Sequence, residues 1–87
     1  MTDFDRFASD LKQIRETDTK LWNKIATLPI EKQPKYFALL HKTIVGHQNA
    51  MLNVLLNIQN TNYDRILIYT RATLAHIDKQ VSEIDRG

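Results

Sequence analysis

"NIQNTNYD", Asn57–Asp64, decides whether the second half of this chain is one helix or two. It contains no proline or glycine, so nothing local forbids a single helix running from the thirties into the eighties. The apolar spacing on either side argues against it. Upstream, Phe37, Leu40, Ile44, His47, Met51, Val54 or Leu55, and Ile58 recur at steps of three and four, the period of one buried helix face. Continued past Ile58, that seam would turn Arg65, Lys79 and Ser82 inward. Downstream, Tyr63, Leu67, Thr70, Leu74, Ile77, Val81 and Ile84 form a seam free of charge. The two registers differ by about half a turn, which predicts a break near 59–63. Thr61 followed by Asp64 would then cap the new helix as a short capping box.

The first third follows the same logic. Phe4, Phe7, Leu11, Ile14, Asp18, Leu21, Ile25 and Leu28 keep a heptad spacing with one polar member, and Thr2 with Asp5 would cap its start. Pro29 ends this helix, "PIEKQP" makes the turn, and Pro34 suits the first turn of the next. Helices are therefore expected over about 3–28, 34–59 and 63–85. At 1.5 Å per residue each is roughly 36–39 Å long. Three equal helices with short turns predict an all-α, antiparallel three-helix bundle, up-down-up, in a single helical domain over 1–87. The alternative is a dimer in which the second and third helices stay fused.

Composition narrows the function. The net charge of +2 comes entirely from residues 30–60, where Lys32, Lys35 and Lys42 outweigh Glu31. Such a small surplus is far from the concentrated Lys and Arg of a duplex-binding face. With no cysteine there is no disulfide or thiolate metal site, which fits a reducing, cytoplasmic setting. The start of the chain, "MTDFDRF", lacks the basic and apolar regions of a secretory signal. Thr43–Tyr63 is uncharged over 21 residues, long enough to cross a bilayer, yet seven of them are Asn or Gln. Those amides argue against a membrane span.

Individual residues offer few chemical motifs. His47 and Asp18 occupy apolar seams and would meet in mid-bundle as a polar core pair that fixes register. Such a pair would raise the folded pKa of His47. Otherwise each turns to solvent, a backbone group or a hydroxyl. Asp18, His47 and His76 do not share a face in a way that would ligate a metal, and His41 and His47 lie six residues apart. No nucleophile and base share a turn, so no catalytic residue, cofactor, metal or small-molecule substrate is expected. Trp22 should flank the core. Lys32, Lys35, His41 and Lys42, interleaved with Tyr36 and Phe37, give a weak nucleic-acid signal.

Two outer faces stand out. Asn49, Asn53, Asn57 and Asn60 fall opposite the apolar arc of the second helix, with Gly46 among them, where charged residues would be usual. On the third helix Ile68, Ala72 and Ala75, with Tyr69 alongside, make an uncharged stripe that another helix could approach closely. Interface centres are poor in charge and rich in aromatics, and amides are covered at less cost than ions. The expectation is a small non-catalytic protein that binds a partner protein, or itself, to regulate, inhibit or assemble a complex. The partner-facing residues would be Asn49, Asn53, Asn57, Ile68, Tyr69, Ala72 and Ala75. The alternative is a nucleic-acid-binding accessory protein using Lys32, Lys35 and Lys42.

Overall fold

The computed structural model describes residues 3–58 and 61–86. Within them the chain forms three α-helices, α1 (Asp3–Ala26), α2 (Gln33–Leu55) and α3 (Tyr63–Arg86), with one 3-10 turn at Ile30–Lys32 and no strand. Each helix packs on the other two. Extents of 45 × 22 × 16 Å and a radius of gyration of 14.4 Å describe an elongated body. A compact chain of this length would have a radius of roughly 12 Å. The core is therefore a long, thin seam, and each helix keeps a broad face in solvent.

The seams account for most of that core. Phe7, Ile14, Leu21, Ile25 and Leu28 of the first, Leu40, Ile44, His47 and Met51 of the second, and Tyr63, Leu67, Thr70, Leu74, Ile77 and Val81 of the third are all buried. Between α1 and α2, Gln33 does the local work. Its side-chain amide donates to the carbonyls of Ala26 and Leu28, groups that the end of α1 leaves unpaired. Pro34 falls in the first turn of α2, where its missing N–H costs nothing.

The predicted break is present, but it is built differently. α2 stops at Leu55, and Asn57 takes a left-handed φ of 57°. The Ile58 N–H then reaches the Asn53 carbonyl at 2.9 Å, and the Asn57 N–H reaches that of Val54 at 3.1 Å. These are the two bonds of a Schellman motif, which favours Gly or Asn at the left-handed position. Asn57 is thus a helix terminator rather than the third member of an amide column. The cap of α3 is also corrected. Asn62 Oδ1 accepts the Arg65 N–H at 3.1 Å, while the Thr61 hydroxyl turns back to the Ile58 carbonyl. Thr2, Gln59 and Asn60 lie outside the described residues.

Ending α2 early changes its apolar face. Leu55 and Ile58, expected in the core, are exposed, as is Leu52, and Val54 is half-buried. Phe4 is exposed as well. Phe7, one turn on, rests against Tyr63, the first residue of α3. A turn earlier, at Phe4, α3 has not yet begun.

Candidate functional site

Two places concentrate unusual chemistry: a buried polar chain joining all three helices, and an open face between α2 and α3. The first replaces the expected Asp18–His47 pair. His47 on α2 is fully buried (0%), and its Nε2 lies 3.0 Å from the Tyr63 hydroxyl on α3. That hydroxyl donates to Asp10 Oδ2 on α1 at 2.8 Å. Since Tyr63 gives its only proton to Asp10, its oxygen must accept from His47, which requires the proton on Nε2. His47 Nδ1 is then a bare acceptor, and it has no partner among the described residues.

Charged groups stand around this chain. Arg71 approaches Asp10 Oδ1 at 3.6 Å and donates to the Gln13 side chain at 3.2 Å. Arg6 lies 3.9 Å from Asp10, pairs with Asp64, and places its guanidinium 5.2 Å from the centre of the Tyr63 ring. Burial pushes His47 below the ordinary histidine range; Asp10 opposes that shift and Arg71 adds to it. This reverses the raised value that an Asp18 partner would have produced. Burial, followed by the bond to Asp10, pushes the Tyr63 phenol well above its ordinary value. A hydrogen bond to a carboxylate contributes about 1.5–3 kcal/mol net, so this chain is a structural asset as well as a titratable one.

Asp18 sits elsewhere, half-buried. Burial raises its carboxyl, while Arg15 and His41 pull it down. Asp10 was the residue missed. It lies three residues after Phe7 and four before Ile14, so the heptad spacing admits it as readily as Leu11. The structure buries Asp10 and leaves Leu11 half-buried. A buried tyrosine needs a partner for its hydroxyl, and that need was the available clue.

The open face gathers part of the predicted interface. Ile68 (69%) and Tyr69 (68%) are strongly exposed, and Ala72 and Ala75 are exposed. Tyr69 borders a groove of about 210 Å³ whose walls are Leu39, Lys42, Thr43 and Gly46 of α2 with Ile66 and Thr70 of α3. Asn49, exposed, and Asn53, half-buried, continue the Leu39–Lys42–Gly46 row along α2 at helical spacing. Ala75 instead borders a second groove, shared with Ile14, Leu21 and Leu74 on the α1 side. The stripe is therefore a crest with a furrow on each flank. A larger hollow of about 610 Å³ is walled by α1 alone, from Ala8 to Thr19, and is an uncovered face rather than a cleft.

The basic residues line two different hollows. Lys32 and Lys35 share a hollow with Glu31, Tyr36 and Ile84, whereas Lys42 belongs to the groove beside Tyr69. Trp22 is half-exposed and stacks on Phe37 with ring centres 4.2 Å apart. Among the described residues no group of three His, Asp or Glu could hold a metal ion, and no helix is long and apolar enough to cross a membrane.

No family model matches this chain, and neither the curated proteins nor the solved structures give a match.

Proposed function

We propose that this protein is a non-catalytic helical binding module that engages a partner protein through the crest of α3 and the groove between α2 and α3. Binding there would regulate, inhibit or assemble the partner, and the cysteine-free composition suits work in the cytoplasm. Like ends of α1 and α3 meet at Arg6–Asp64 and Phe7–Tyr63, and later residues meet at Lys24–Asp78. Those pairs support an up-down-up order, which sets α2 and α3 side by side as one two-helix face.

Gly46 is the observation that carries this reading. It stands mid-helix and exposed, does not adopt a positive φ, and a Cβ built on it would meet nothing within 4 Å. Neither backbone strain nor internal packing explains a residue that costs about 1 kcal/mol relative to alanine in a helix. What glycine does provide is a smooth floor to the groove, opposite an exposed tyrosine. A close approach from outside the chain would use both.

Two substitutions test the reading with opposite signs on stability and binding. Gly46→Ala should raise unfolding stability by about 1 kcal/mol and weaken association. Ala72→Arg should abolish association and leave the helical content unchanged. Light scattering reads self-association, and affinity capture from the native host, wild type beside both variants, reads a different partner. Identical mass and identical captured proteins for all three would remove the proposal.

A further inference from the structure

The polar chain holds its protons in one arrangement. His47 donates through Nε2, Tyr63 donates to Asp10, and Asp10 accepts as a carboxylate. A second proton on His47 can go only to Nδ1, which is buried and without an acceptor among the described residues. A buried donor with no partner, on a ring that has also become charged, is strongly disfavoured.

The surroundings do not neutralise that charge. From α1, Asp10 is separated from the imidazole by the Tyr63 hydroxyl, and its carboxylate is already approached by Arg6 and Arg71. From α3, Arg71 repels a protonated ring, and the facing titratable group is Tyr63 itself. On α2, the flanking Thr43, Ile44, Ala50 and Met51 carry no charge. A charged His47 must therefore reach water, and the Tyr63 ring stands against it with centroids 5.7 Å apart. Tyr63 is the first residue of α3, and the end of a helix opens at less cost than its interior.

We propose that the Asp10–Tyr63–His47 chain is a proton-sensitive latch: a proton added at His47 Nδ1 undocks the first turn of α3 from α1 and α2. The sign follows from linkage. His47 takes up a proton less readily folded than unfolded, so its contribution is complete above about pH 6.5 and is lost as pH falls from there towards the lower folded value. One extra proton bound in the open state raises the opening constant by about tenfold per pH unit at most.

Amide hydrogen exchange of Arg65, Ile66 and Leu67, corrected for intrinsic rates, measures that opening between pH 7.5 and 5. Wild type should open increasingly as pH falls below 6.5, by up to about tenfold per pH unit, and His47→Leu should show no such slope. A flat wild-type profile, or an equal slope in His47→Leu, overturns the latch. The doubly substituted His41→Gln, His76→Gln protein should keep the slope, since both side chains are exposed; loss of the slope there also overturns it. If His47→Leu fails to fold, long-range proton–nitrogen spectra of the wild type decide. An Nε2–H imidazole at pH 8 supports the latch, and an Nδ1–H imidazole removes it.

Discussion

The two ends of this bundle are held in different ways. Where α1 turns into α2, the core is dry: Leu21, Ile25, Leu28, Leu40, Ile77 and Val81 interdigitate, and Ile25 and Ile77 are fully buried (0%). Its polar clasps lie at the edge: Lys24 bonds Asp78 and Ser82, and Gln33 bonds the Ala26 and Leu28 carbonyls. At the other end, where α2 gives way to α3, a hydrogen-bonded chain of three polar residues runs through the packing beside Phe7. Around it Phe4, Leu55, Leu56 and Ile58 remain exposed. Apolar packing is non-directional and tolerates pH. A hydrogen-bonded chain fixes one arrangement of three helices but depends on the state of its protons.

The largest expected effect lies in the dry end. Ile77→Ala removes a fully buried side chain and should cost about 2–5 kcal/mol, measured by chemical denaturation. In a domain this small such a loss approaches the whole stability. Tyr63→Phe attacks the other end by deleting one oxygen, and should cost about 1.5–3 kcal/mol at pH 7.5. If Tyr63→Phe proved as costly as Ile77→Ala, the hydrogen-bonded chain would be the main fastening rather than the local one. The smallest effect is expected at the outer clasp. Lys24 is partly exposed, so Lys24→Met should change stability by less than about 1 kcal/mol, and by less still in high salt.

The dry end was the legible one. Leu21, Ile25, Leu28, Leu40, Ile77 and Val81 obey helical periodicity and have no competing role, so spacing alone places them. The half-turn clash of registers likewise located the break between α2 and α3. Its construction was less legible, because Asn57 and Asn62 act through backbone geometry and capping. Seen only as composition, Asn57 looks like another amide on a helix face. Asp10 was hidden for a related reason: heptad spacing allows two adjacent positions at each step, and a carboxylate beside a leucine is read as the outward one. Only the unmet need of the Tyr63 hydroxyl distinguishes them. Ile58 and Phe4 were misplaced because periodicity says which face is apolar, not where a neighbouring helix stops covering it. On the candidate interface, the exposure of Ile68, Tyr69, Ala72 and Ala75 matched their pattern. The furrows on either side of that crest arise from helix packing, which no single segment encodes.

The bond between Asp10 and Tyr63 spans 53 positions of the chain. Joining α1 to α2, or α2 to α3, closes only a short loop, whereas this contact must enclose two helices and both of their connections. Because loop-closure entropy grows with length, the two hairpins can assemble before this bond is made. Formed after the rate-limiting step, such a contact would act little on the speed of folding and mostly on the rate of leaving the native state. The same hydrogen bond that sets three helices in place would then also set how long they stay there.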